Sequence, residues 1–182
     1  MGQKEIKTAE GIVTDLEFLR IPSVRCSDPM ESDRILSELR KVLDEVGDKG
    51  MGLAAIQLGY PLRVSVIKYG NKIHRFCNPA VSDASVGSDP LKEGCLSIPG
   101  RGFTIRRKRW VEVTDDINGT KRYEGRMAQA VQHELDHMDG VILCDVAMVD
   151  PELLKEKARV ARAKASRSRN KASKKARKKN RK

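Results

Sequence analysis

The sequence predicts an α+β fold, with strands gathered in mid-chain and helices towards both ends. Three observations predict it. Strand-like alternation is concentrated between about residues 63 and 123, helical periodicity lies on either side of that block, and one helical segment carries His133-Glu134-Leu135-Asp136-His137. Strands gathered in mid-chain and helices at the ends differ from the alternating pattern of a parallel α/β sheet. No internal repeat is visible.

The first helix is expected over residues 29–46. Asp28 suits the cap, Pro29 the first helical position, and Glu31 can bond back as in a capping box. Ile35, Leu36, Leu39, Val42, Leu43 and Val46 recur at helical spacing and form one apolar stripe. Gly47, Gly50 and Gly52 end the helix and lead into a tight loop. Residues 63–69 and 73–77 read as strands, the second stopped by Asn78-Pro79. Residues 103–115 read as one or two strands, with Val111 and Val113 alternating against Glu112 and Thr114. Asn118-Gly119 signals a hairpin that returns through Thr120–Tyr123. A second helix is expected over 126–138 with Gly140 as its stop, and a third starts at Asp150-Pro151-Glu152.

The motif at 133–137 carries the chemistry. Side chains four apart share one helix face, so His133 and His137 can reach one cation while Glu134 points towards a water beside it. H-E-x-x-H on a helix is the pattern of metal-dependent hydrolases, and two of the chain's three histidines fall in it. Two imidazoles leave a divalent ion short of a ligand. No histidine follows His137. Downstream acids such as Asp145 and Glu152 stand in no distinctive motif, whereas upstream Gly94-Cys95 would hold a thiolate at a rigid, close-approach position.

Composition divides the chain in two. Its 182 residues carry a net charge of +11, but residues 155–182 hold 15 Lys or Arg against one Glu, leaving the other 154 residues at −3. The expected organisation is therefore an N-terminal extension over 1–19, a mildly acidic catalytic domain over 20–154, and a basic tail over 155–182 in which a helix continues into disorder. No apolar run approaches the length of a membrane span, and MGQKEIKTAEG lacks the apolar core of a secretion signal. The expected setting is cytoplasmic, and a reducing compartment would leave Cys26, Cys77, Cys95 and Cys144 as thiols; no C-x-x-C pair is present.

Three segments taken together extend this reading. Residues 50–57 (GMGLAAIQ), 93–97 (EGCLS) and 132–140 (QHELDHMDG) match, in order and spacing, the GxGLAAxQ, EGCLS and QHExDHxxG segments of the peptide deformylase family, and the chain resembles that family over about residues 18–160. The resemblance implies a peptide-deformylase-like α+β fold, with antiparallel or mixed β-sheets around a central metal-binding helix and a C-terminal helix, and removal of formyl from the N-terminal formyl-methionine of nascent peptides. It assigns Cys95, His133 and His137 as metal ligands and Glu134 as general base and then acid. It assigns Gln57 and the Leu96 backbone N–H as oxyanion donors, and Met51, Gly52 and Gly94 as backbone partners of the substrate. It favours Fe2+ as the metal, with Zn2+, Ni2+ or Co2+ as alternatives. A monomer is the default expectation. The basic tail exceeds the usual end of the family's chain, and its charge leaves two readings, a solvated and disordered run or docking on the ribosome and its RNA. Ile56 stands where the family often has Pro or Thr, and Arg126 and Gln129 stand where apolar residues commonly line the methionine pocket. The rival readings are an H-E-x-x-H zinc peptidase and a basic RNA-binding protein with a structural metal. The first needs a downstream ligand, the second a fourth protein ligand.

Overall fold

The computed structural model describes residues 11–148 and Arg159. Helix α1 spans Leu16–Leu19 and α2 spans Pro29–Val46. The Asp28 carboxylate accepts the Met30 N–H at 2.9 Å and caps α2, while no bond from Glu31 closes the expected capping box. The α2 stripe buries Ile35, Leu36, Leu39, Leu43 and Val46, with Val42 at its margin. It packs against Leu53, Val64 and Val66 of the first sheet.

That sheet is β1 (Gly52–Ala54), β2 (Val64–Tyr69) and β3 (Lys72–Cys77), in spatial order β1-β2-β3. A second sheet, in order β4-β7-β8, consists of β4 (Ala80–Ala84), β7 (Trp110–Asp115) and β8 (Gly119–Glu124). The third is a long hairpin of β5 (Ser88–Cys95) and β6 (Ile98–Lys108). Every pairing between these strands is antiparallel, and the one parallel contact among the described residues is an isolated bridge between Val24 and Leu62. The fold class is thus α+β, as expected. Helix α3 (Gly125–Met138) packs Met127, Val131 and Leu135 in one cluster with Val111, Val113 and Tyr123 of the second sheet and with Ile67 and Phe76 of the first. The motif helix is therefore central, and short α4 (Leu143–Val146) follows it.

Three expectations need amendment. Strands β4 and β5 were not anticipated, because β4 is largely exposed and β5 interrupts its pattern with Asp89-Pro90 and Lys92. The β7–β8 turn is a three-residue loop, in which the Asp115 carboxylate accepts the Ile117 and Asn118 N–H groups and Gly119 takes φ +65°. Residues 12–19, read from the sequence as part of an extension, are packed: Ile12 and Leu19 are fully buried, and Val13 N–H donates to the Gln57 carbonyl. The helix expected from Asp150 lies outside the described residues.

Gly140 closes α3 with φ +72°, and a Cβ there would run into the Arg20 carbonyl. A left-handed backbone costs an L-residue roughly 1–2 kcal/mol, and the collision adds to that. Gly140→Ala should therefore lower the unfolding free energy by about 2 kcal/mol or more. Gly119→Ala, at φ +65° with open space around it, should cost about 1 kcal/mol. Urea midpoints of the two variants give the comparison.

Candidate active site

Three separated segments meet at one end of α3. The register shift between Gly94 and Cys95 ends β5, and Leu96-Ser97 turns the chain into β6. This brings the Cys95 thiol onto α3, with Sγ 3.2 Å from His137 Nε2. His133 and His137 lie one turn apart, their rings 5.0 Å between centroids. The ligand atoms of Cys95, His133 and His137 all fall within 4.8 Å of one another, and no fourth His, Cys, Asp or Glu joins the group among the described residues.

The surrounding bonds orient these donors. Glu93 Oε2 lies 3.0 Å from His133 Nδ1, which leaves Nε2 to face the cluster. Glu93 is held in turn by Arg107, whose Nε and Nη2 donate to its two oxygens at 2.7 and 2.9 Å, while Nη1 donates to Asp136 at 2.5 Å. Burial alone would raise Glu93, yet the bonds from Arg107 and His133 win and hold its carboxyl at about 2. Burial likewise lowers His133, but its bonds to Cys95 and Glu93 prevail and lift it to about 10. His137 is pushed well below the usual range, first by burial and then by His133. At these separations the three donors can share one cation. Thiolate plus two imidazoles suits a borderline-soft divalent ion, so the residues fit a metal.

Glu134 sits beneath the cluster. Burial raises its carboxyl to about 7, against the pull of His133, and Oε2 has no protein partner among the described residues. Its other oxygen lies so close to Gly52 that a Cβ there would run into it. The Gln57 side chain is buried, and its oxygen accepts the Ala54 N–H at 2.9 Å. That bond turns the amide NH2 towards Ser97 Oγ at 3.1 Å and Cys95 Sγ at 3.6 Å. A cleft of about 970 Å³ opens above, lined by Met51, Gly52, Gln57, Gly94, Leu96 and His133 among others. All nine residues singled out in the sequence therefore gather at this one place.

Arg107 escaped the sequence reading. Its signal was strand alternation: it lies two residues beyond buried Ile105 and faces the same side. The downstream acid Asp145 is instead engaged by Arg20 at 2.9 Å, so it offers no ligand to a peptidase-like centre.

The comparisons agree with this geometry. The sequence profile described as Polypeptide deformylase matches residues 15–154. The peptide deformylase of Dictyoglomus turgidum is 39% identical over 112 residues, 59% of this chain and 72% of that protein. The peptide deformylase of Parafrankia sp. is 34% identical over 145 residues, 73% and 78% of the two chains. The crystal structure of peptide deformylase from Plasmodium falciparum superposes with a TM-score of 0.70 at 28% identity, covering 86% of this chain and 95% of that one. With its three motifs gathered in one cleft, this chain belongs to the peptide deformylase family, the metal-dependent amide hydrolases that remove formyl from the N-terminal formyl-methionine of nascent polypeptides.

Proposed function

We propose that Cys95, His133 and His137 hold one divalent metal ion, Fe2+ in the native enzyme, and that Glu134, Gln57 and the Leu96 amide carry the deformylation. The single observation behind this reading is the convergence of a thiol and two imidazoles beside a buried carboxyl and a buried amide. When bound, the ion supplies an acidified water at neutral pH and a Lewis-acidic contact for the formyl oxygen. Glu134, with a carboxyl near neutrality, accepts a proton from the attacking water and returns it to the leaving amine nitrogen. As the formyl carbon becomes tetrahedral, its oxygen gains charge, and Gln57 Nε2 with the Leu96 N–H donates to it. Each such donor is worth about 3–4 kcal/mol in comparable sites.

Substrate positioning falls to backbone. β1 is the edge of its sheet, and the cleft runs between residues 50–52 and the β5–β6 hairpin. An extended peptide can therefore add as a strand beside Met51, Gly52 and Gly94. The close approach of Gly52 to Glu134 leaves a floor that suits formyl and excludes acetyl. A thiolate ligand and ferrous iron are both oxidisable, so the same reading implies sensitivity to oxygen. Zn2+, Ni2+ and Co2+ satisfy the same donors.

The cytoplasm and a monomeric state complete the proposal; no helix among the described residues is long and apolar enough to cross a membrane. Residues 155–182, outside the described part apart from Arg159, are proposed to tether the enzyme to ribosomal RNA. Fifteen cations with no aromatic residue give sequence-independent phosphate binding, which brings the enzyme to chains as they emerge.

Formate release from a formyl-Met dipeptide, with and without chelator, tests the reading as a whole. Glu134→Gln should retain metal and lose roughly 10²–10⁴-fold in turnover; near-normal release would remove Glu134 from its role. Cys95→Ser should lower metal content per chain, measured after purification without added metal, while Cys26→Ser, Cys77→Ser and Cys144→Ser keep it. Equal content in all four would place the third ligand elsewhere. A chain cut after Leu154, once shown to be as stable as the full one, should deformylate a short peptide normally yet no longer co-sediment with ribosomes at low salt. If about eight charges engage phosphate, full-length binding should weaken with salt at a log–log slope near −0.7 per contact. Equal co-sedimentation of the two chains would leave the tail without this role.

A further inference from the structure

One wall of the cleft is built with unusual polarity. Arg126, Gln129, Ala130 and His133 line it from α3 at i, i+3, i+4 and i+7, a single stripe running outward from the metal-ligand cluster. Seven residues of helix span about 10 Å, close to the length of three residues of extended peptide. The stripe begins small and apolar at Ala130, passes through an amide at Gln129, and ends in an exposed guanidinium at Arg126. Gln129 is tied down by donating to the Lys92 carbonyl at 3.2 Å and to Glu93 at 3.3 Å. It thereby joins the Arg126 side of the wall to β5, where exposed Lys92 also lines the cleft. Arg101 lines it from β6, its guanidinium over the Phe103 ring at 5.0 Å.

The charges of this cleft do not balance. Of its two acids, Glu93 is saturated by Arg107 and His133, which leaves Asp48 against the lining cations Lys49, Lys68, Lys92, Arg101 and Arg126. Lys68 is engaged by Asp44 at 3.6 Å. Glu124, next to the start of α3, is taken by Arg122 at 2.9 Å, and Asp136 by Arg107. Lys92, Arg101 and Arg126 have no carboxylate partner among the described residues. Among the described residues, these three cations without a carboxylate partner line the cleft by which a peptide would lead away from the formyl group.

We propose that this mouth is an acid-reading subsite: Arg126 and Lys92, helped by Arg101, select formyl-Met peptides with Asp or Glu at the second or third residue. The inference rests on the deformylase reading of the same cleft and adds a substrate class to it. The stem of the first side chain lies against Ala130 and His133, and the carboxylate of a following residue reaches the cations about 10 Å further out. A carboxylate some 4 Å from one such cation gains on the order of fivefold in affinity at low salt, and a lysine at the same place loses by a similar factor. The effect is screened as the Debye length falls below about 8 Å.

The test uses full-length protein and two readouts. Binding of formyl-Met-Glu-Glu-Ala, formyl-Met-Ala-Ala-Ala and formyl-Met-Lys-Lys-Ala to the metal-loaded Glu134→Gln enzyme is measured by calorimetry, and formate release from each by the wild type. The acidic peptide should bind roughly tenfold or more tightly than the basic one at low salt, and the ratio should shrink at high salt. The same order should appear in kcat/KM, mainly through KM. Arg126→Gln and Lys92→Gln should each reduce the ratio, and together bring it near unity with the basic tail still present. Equal binding of the three peptides, or a preference that survives both substitutions, would overturn the proposal. Absence of formate from every peptide would count against the deformylase reading, while the binding ratio would still decide the subsite.

Discussion

The buried guanidinium of Arg107 is the constraint on which the site depends. Its side chain is only 5% exposed, as is that of Glu93 at 4%. Removing an arginine and a carboxylate from water costs several kcal/mol each, and only near-complete pairing recovers it. Here the recovery comes from a two-pronged bond to Glu93 and a third bond to Asp136. Glu93 precedes Cys95 by two residues, and Asp136 adjoins His137. One cation therefore fastens the strand that brings the thiol to the helix that brings the imidazoles. Its second effect is electrical: a Glu93 that stays ionised keeps His133 turned with Nε2 towards the thiol.

Around that clamp, small residues set the distances. Ala128 and Ala130 are buried on α3, and Gly52 comes so near Glu134 that no side chain fits between them. A carboxyl enclosed this closely loses its water, which is why it titrates near neutrality and not with ordinary acids. The same enclosure keeps Gln57 in one orientation, because its oxygen is already committed to Ala54. Chemistry and tight packing are here one property of the same glycine and alanine positions.

The sequence revealed those parts of the fold whose side chains repeat or whose residues cap. Asp28-Pro29 and the stripe from Ile35 to Val46 delimited α2, and Gly140 ended α3, because both signals are local. The cluster of Cys95, His133 and His137 was legible because H-E-x-x-H is itself local and the glycine-rich and EGCLS segments supplied the rest. β4 and β5 were not, since Val81 is exposed and Pro90 interrupts β5; these strands exist through their partners β7 and β6. Arg107 was hidden for a related reason. Within Arg106-Arg107-Lys108-Arg109 nothing but strand phase distinguishes the one buried cation from its exposed neighbours, and that phase is set by pairing with β5.

The segment ahead of α2 reaches across the whole catalytic body. Val13 holds the backbone of Gln57, Ser23 N–H donates to the carbonyl of Met138, and Arg20 grips Asp145. These bonds join the beginning of the body to its end, over separations of up to 125 residues. A chain closed in this manner has a high contact order, and its final assembly waits on the slow meeting of distant segments. During synthesis, the carbonyl of Met138 and the carboxylate of Asp145 are the last of these partners to leave the ribosome. An enzyme that acts on newborn chains is thus, in its own birth, unable to complete its active centre until nearly all of its catalytic body has emerged.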